Sequence, residues 1–290
     1  MADPAPTYSL DSLLPGQVAQ KAEDVGVAKG RMDAVSMFLL AVLAGAFIAL
    51  GAVFSTVAVT GAGDLPWGVT RVLAGVTFCL GLILVVVAGA ELFTGNNLLM
   101  MAFVSGKLTA RDLLRNWVIV YAGNFVGALA TAMLMFAGRQ YEMAGGELGV
   151  TTVRIASTKC DLDPMAAIVR GIYCNALVCL AVWLCFSCRT TGGKILSILF
   201  PITAFVAAGF EHSVANMYFI PEGLLIKDAA PETYWASMNV APGAFETLTW
   251  GRFFLANLLP VTIGNIIGGA GFVGGIYWII YARKNKPPQS

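Results

Sequence analysis

The chain has little charge: of 290 residues only 12% are Asp, Glu, Lys or Arg, against 58% hydrophobic. A soluble domain carries roughly 25% charged residues, so an ordinary water-facing surface is excluded. Histidine is nearly absent too, with His212 alone. No cluster of His, Cys, Asp or Glu stands at metal-ligand spacing, so neither a metal nor a cofactor is expected. The chain lacks a basic tract, and a net charge of +1 gives no reason to expect nucleic acid. Residues 1–34 lack the apolar run of a signal peptide. Of six cysteines only Cys160 falls in a polar loop, so no disulfide framework is visible. Cys185 and Cys188 have CxxC spacing but end an apolar stretch, where they read as small packing residues. Walker motif, dinucleotide fingerprint and nucleophile triad are all missing, which leaves an enzyme without its reacting groups.

What is present is apolar length. A span needs roughly 20 mostly apolar residues, and such stretches occur at 36–60, 71–105, 113–138, 164–188, 194–226 and 250–282. The second and fifth are too long and irregular for one helix each and are expected to be broken. The reading is an all-α membrane protein of six transmembrane helices. A cytoplasmic segment over 1–34 carries an amphipathic helix, the channel domain covers 35–283, and a short tail covers 284–290. With both termini placed inside, eleven of the 18 Lys and Arg fall on the cytoplasmic side and seven outside, the bias that orients inner-membrane proteins. Trp67, Trp117, Trp235, Trp250 and Trp278 lie near span ends, as interfacial Trp does.

The halves of the chain repeat one another. Ala88, Gly89, Glu91 and Asn96 match Ala208, Gly209, Glu211 and Asn216 at an offset of 120. Asn116, Gly123, Asn124 and Gly127 match Asn257, Gly264, Asn265 and Gly268 at an offset of 141. Three spans per half is an odd number, so the second half must run inverted, as in many transporters and channels.

Irregular backbone at membrane depth survives only where protein or a watery cavity satisfies it, and residues 91–97 and 211–216 place carboxylates, hydroxyls and amides there. Glu91 and Glu211 are expected to cap half-helix ends and, with Asn96 and Asn216, to hold the breaks in shape. His212 sits in the second break and titrates ordinarily near neutral pH. It is either a pore residue able to exchange a proton or a buried fastening between half-helices; the setting favours the pore. Thr94 lies in the first break, where its hydroxyl can donate to an anion, and half-helix N-termini add positive dipole. Phe78, Leu82, Leu92, Phe93, Val178 and Phe205 flank these positions, either as ordinary packing or as constrictions against hydrated ions.

Four segments carry a family resemblance: Glu91-Leu92-Phe93-Thr94-Gly95-Asn96; Arg170-Gly171-Ile172-Tyr173-Cys174-Asn175-Ala176-Leu177-Val178-Cys179-Leu180-Ala181; Gly209-Phe210-Glu211-His212-Ser213-Val214-Ala215-Asn216-Met217; and Pro260-Val261-Thr262-Ile263-Gly264-Asn265-Ile266-Ile267-Gly268-Gly269. Together they resemble the formate/nitrite transporter family from about Tyr8 to Arg283. Residues 78–84, with Ser12-Leu13-Leu14-Pro15, Ala22 and Glu23, favour its formate-channel branch over the nitrite and hydrosulfide branches. The resemblance implies an aquaporin-like protomer in a homopentamer, each protomer with its own pore. Formate and similar small monovalent anions are the expected cargo, crossing either passively or with proton exchange at the central histidine, and nitrite or hydrosulfide is the alternative. The resemblance places His212 and Thr94 at the pore centre, Asn175 and Asn265 beside the pathway, and Lys159 as an anion attractor in the outer vestibule. Phe78 and Phe205 would form one constriction, and Leu82, Leu92, Phe93 and Val178 the other. The amphipathic segment, otherwise solvated or interfacial, would gate from the cytoplasmic side.

Overall fold

In the computed structural model, which describes residues 11–283, every regular element is helical. Helix α1 (Pro15–Gly30) is followed by α2 (Ala34–Val59) and α3 (Trp67–Ile83), which runs on through a π-helical turn, Leu84–Gly89. After a break come α4 (Phe93–Asn96) and α5 (Leu99–Val104), then the long α6 (Ala110–Ala137). The second half opens with α7 (Glu147–Cys160) and continues with α8 (Pro164–Ser187), α9 (Thr191–Ala207), a second break, and α10 (Ser213–Ala229). Short helices α11 (Glu232–Met238) and α12 (Trp250–Arg252) lead into α13 (Leu259–Ile266), flanked by π-helical stretches that carry it to Ala282.

Five helical runs are long and apolar enough to cross a membrane: Ala34–Val59, Trp67–Gly89, Ala110–Ala137, Pro164–Ser187 and Gly243–Ala282. Two shorter apolar helices, Phe93–Val104 after the first break and Thr191–Ala207 before the second, adjoin the interruptions. Large side chains such as Leu39, Leu43, Leu114, Val118, Leu255 and Phe272 stand exposed, a surface fit for lipid or a neighbouring protomer rather than water. Inside, backbones approach closely over small residues: a Cβ on Gly127 would collide with Val42 O, and one on Gly268 with Ile172 O. The α2–α6 and α8–α13 crossings therefore use the same glycine at the same step.

Two segments differ from expectation. The polar stretch that held Cys160 is not a loop but helix α7, with Cys160 buried at its end. Helix α1 is no solvated arm: Val18, Ala19, Ala22 and Gly26 are buried, and its apolar face joins a cluster with Met101 and Trp183. Its small side chains make a weak apolar stripe in the sequence, yet smallness is what lets it lie close on α5, where a Cβ on Gly26 would press on Ala102. Helix α1 thus packs on the helical body, as α7 does in the second half. The expected tail, 284–290, lies outside the described residues.

Candidate functional site

The two breaks are built alike. Gly89 and Gly209 leave their helices at φ +89° and +74°, a left-handed turn that a Cβ would oppose. The backbone then runs extended, and its free groups need partners. Glu91 N–H donates to Leu40 O at 3.2 Å and Glu211 N–H to Arg170 O at 3.4 Å. Asn124 of α6 clips the first break: its Oδ1 accepts from Phe93 N–H at 2.9 Å, and its Nδ2 donates to Ala41 O at 2.8 Å and Glu91 O at 2.9 Å. Asn265 of α13 does the same for the second, accepting from Ser213 N–H at 2.9 Å and donating to Gly171 O at 2.9 Å and Glu211 O at 3.0 Å.

The glutamates do not cap helix ends as expected. Glu91 Oε2 accepts from Asn96 Nδ2 at 2.7 Å, and that amide also donates to Asn116 Oδ1 at 3.0 Å. Glu211 Oε2 accepts from Asn216 Nδ2 at 2.6 Å, and that amide donates to Asn257 Oδ1 at 2.7 Å. Each carboxylate then meets a lysine from the leading helix of its half. Lys29 Nζ lies 2.9 Å from Glu91 Oε1, and Lys159 Nζ lies 3.0 and 3.1 Å from the Glu211 oxygens. Asn116 Nδ2 closes on Lys29 O at 3.3 Å and Asn257 Nδ2 on Lys159 O at 2.9 Å. Lys29 escaped the sequence reading. Its signal was there: Lys29 and Asp33 match Lys159 and Asp163 at an offset of 130, and both aspartates cap the helix that follows.

Two cavities enter from opposite ends of α2. The inner one, about 450 Å³, is lined by Leu40, Leu82, Leu92 and Glu91 and by the cations Lys21, Lys29 and Lys194. Burial, then the nearby Lys194 and Arg189, hold the Lys21 ammonium below the usual lysine range. The outer cavity, about 490 Å³, is lined by Ser55, Val59, Phe78, Phe205, His212 and Glu211 and by Arg71, Arg154, Lys159 and Arg170. Lys159 also stands 5.4 Å from the centre of the Phe219 ring.

Between the cavities Thr94 Oγ1 and His212 Nε2 meet at 3.0 Å, both buried. On the other side of the imidazole, Nδ1 accepts from Ala215 N–H at 3.1 Å, capping α10. A nitrogen accepting from an N–H carries no proton, so the network assigns the ring as neutral with its proton on Nε2. Nε2–H then donates to Thr94 Oγ1 and leaves the threonine proton free. Phe205 stacks on the imidazole with centroids 5.9 Å apart, and Phe78 meets Phe205 edge-on at 5.6 Å.

The remaining candidates fall in two groups. Phe78 and Phe205 line the outer cavity beside His212, and Leu82 and Leu92 line the inner one. Phe93 instead lies edge-on against Tyr121 and Trp117 of α6, and Val178 is buried and lines neither cavity. Asn265 is occupied by its backbone clip, and Asn175 Nδ2 donates to Asn265 O at 2.7 Å; neither lines a cavity wall.

Two charged cavities in a body of long apolar helices, one of them ending on His212 and its contact with Thr94, define a channel-like transport protein. The chain belongs to the formate/nitrite transporter family, whose model, described as "Formate/nitrite transporter", matches residues 16–279. It is 44% identical over 275 residues to the formate channel FocA of Escherichia coli K12, spanning 95% of this chain and 96% of that one. To the formate channel FocA of Haemophilus influenzae it is 38% identical over 274 residues, spanning 94% and 96%. Among solved structures it resembles a pentameric formate channel with formate bound, at 45% identity and a TM-score of 0.82, over 86% of this chain and 97% of that one.

Proposed function

We propose that this protein is a homopentameric membrane channel for formate and related small monovalent anions, each protomer carrying its own path. Its relatives named as formate channels and the pentameric structure it resembles support the substrate and the assembly. The observation that carries the site is the buried Thr94–His212 contact at 3.0 Å between two cationic cavities. Lys29 and Lys159, with the arginines of the outer cavity, raise the local concentration of anions at each mouth. An anion then leaves water at the Phe78–Phe205 and Leu82–Leu92 walls, where a bare charge is expensive. The free Thr94 proton and the His212 Nε2–H are the donors that replace its lost hydration.

Proton coupling follows a stated geometric condition. In this conformation His212 gives a hydrogen bond but takes no second proton, because Nδ1 already accepts from Ala215 N–H. A relay through the ring needs that cap to open. The chain sits in the bacterial inner membrane with both termini cytoplasmic, the orientation that the loop charges support.

Flux measured in proteoliposomes across pH, with formate, nitrite and hydrosulfide in competition, tests this reading. His212→Asn and His212→Phe are expected to change anion selectivity and flatten the pH profile of formate flux. Thr94→Val is expected to lower flux while costing about 1 kcal/mol of stability for one lost hydrogen bond, and Thr94→Ser to restore flux. A His212→Asn channel with wild-type flux at every pH would exclude the relay, and preference for hydrosulfide or nitrite would move the substrate assignment to those branches.

A further inference from the structure

The two breaks differ in how the helix before each one ends. In the outer half α9 stops at Ala207, and Gly209 turns the chain away. Gly209 N–H serves Val206 O at 3.1 Å and Phe210 N–H serves Phe205 O at 3.0 Å, which leaves Ala207 O to find another donor. Arg71 of α3 supplies it: Nε donates to Ala207 O at 3.0 Å and Nη2 to Val206 O at 2.6 Å. At the first break the residues matching Val206 and Ala207 are Val86 and Val87, and Arg71 itself matches Thr191, all at the offset of 120. That end closes in a π-helical turn instead, with Ala90 N–H on Val85 O at 3.0 Å. The guanidinium is therefore not part of the shared frame.

Arg71 lies within the apolar run Trp67–Gly89, where a charged side chain is expensive and marks a function by default. Its position supplies the reason. A helix C-terminus carries roughly half a negative charge, and this one faces the approach to His212. Phe205, Val206 and Gly209 share the wall of the outer cavity with Arg71 and His212. Bare carbonyls there would repel an entering anion. The guanidinium covers two of them and has N–H donors to spare. The same clamp acts on shape. Phe205 directly precedes Val206; it stacks on His212 with centroids 5.9 Å apart and meets Phe78 edge-on at 5.6 Å. Holding the end of α9 fixes the ring packed on His212.

We propose that Arg71 is a specificity-determining positioning residue of the outer path. By clamping the carbonyl end of α9 it holds Phe205 on His212 and masks a negative helix end from the anion. The inference rests on the reading of this protein as a formate channel.

The test is flux into proteoliposomes of the full-length protein, above that of protein-free vesicles, for formate and for the bulkier, branched isobutyrate. Arg71→Met should raise the half-saturating formate concentration about tenfold, the scale of one charge at a partly buried helix end. It should also lose most of the discrimination against isobutyrate. Arg71→Lys keeps the charge and a donor for the same carbonyls, so both values should return close to wild type. Arg154→Met removes a cation from the same cavity wall but not the clamp; it should raise the half-saturating concentration and leave the discrimination intact. If Arg71→Met does not fold, Arg71→Gln, which keeps a donor without the charge, should shift half-saturation in the same direction. Wild-type half-saturation and discrimination in Arg71→Met or Arg71→Gln overturn the proposal. So does an Arg71→Lys channel no better than Arg71→Met, or an Arg154→Met channel that discriminates as poorly. A wild-type protein that carries no formate would instead remove the channel reading itself.

Discussion

The inner and outer halves share a scaffold and differ in what it holds. Lys29–Glu91–Asn96–Asn116 and Lys159–Glu211–Asn216–Asn257 are the same four-residue chain of contacts, and Asn124 and Asn265 are the same clip. Where the backbone leaves the break, the copies part company: Leu92 stands opposite His212 and Thr94 opposite Val214. The half-helices differ with them. Helix α4 has four residues and no side-chain cap, whereas α10 has 17 and is capped by the His212 ring. The leading helices are also anchored differently. Helix α1 is held from its flank by Glu23, which takes hydrogen bonds from Ser105 and from Lys107 Nζ at 2.6 Å, while α7 sits between covalent neighbours α6 and α8. Symmetry builds the frame twice; the Thr94–His212 contact is drawn once, one member from each copy.

The largest effect is expected where the frame itself is cut. Asn265→Ala would orphan Ser213 N–H and Glu211 O in a buried site, at about 1–3 kcal/mol per group, while Gly171 O keeps its bond within α8. Asn124→Ala orphans the matching pair, Phe93 N–H and Glu91 O. If the clips are equivalent, the two variants lose melting temperature and folded yield alike; a tolerant Asn124→Ala would show that the inner half is the softer copy. Next come the lysines. Lys159→Met leaves Glu211 buried without its counter-charge, a loss of about 3–5 kcal/mol for a buried pair. Lys29 is more exposed, at 27% of its side chain against 16% for Lys159, so Lys29→Met should cost less. Adding Glu211→Gln to Lys159→Met should return stability without returning formate flux, which separates the structural pair from the anion attractor. Flux restored together with stability would reduce Lys159 to a structural role.

Much of the frame was legible because it is written in rare letters. Asn and Glu inside apolar runs stand out, and the offsets of 120 and 141 marked both breaks and both clips. The third offset, 130, links Lys29 with Lys159 and Asp33 with Asp163, and it lies in polar sequence where such residues are common and carry little signal. Helix α7 looked like a loop for the same reason: Thr151, Thr152, Ser157 and Thr158 suggest turns, yet its threonines satisfy themselves on their own helix, as Thr152 Oγ1 does on Leu148 O. The roles inside the site were least legible. Phe93 was expected at a constriction, but whether an aromatic ring faces the path or α6 is set by rotamer and not by sequence position. The protonation of His212 was likewise invisible, since it depends on which nitrogen Ala215 N–H meets.

The smallest effect concerns the helix starts that follow each lysine. Asp33 Oδ1 accepts from Ser36 N–H at 2.9 Å, and Asp163 Oδ1 accepts from Met165 N–H and Ala166 N–H at 2.9 and 3.2 Å. The outer start has a second device, Pro164 at the first helical position, whose ring presets φ; the inner start has only the aspartate. The hydrogen bonds from Ser36 hold the Asp33 carboxyl below the usual carboxylate range. A depressed folded value means that the cap's contribution is present above the ordinary aspartate range and fades as pH falls through the folded one. Asp33→Asn keeps the acceptor without the charge, so its melting temperature should depend less on pH in the acid range than that of the wild type, while staying close to it near neutrality. Asp33→Ala should loosen the start of α2, read as faster amide exchange over residues 34–38. Asp163→Ala, with Pro164 still in place, should loosen α8 less. Equal exchange at the two starts would mean that the neighbouring lysine anchors, and not the caps, decide where these helices begin.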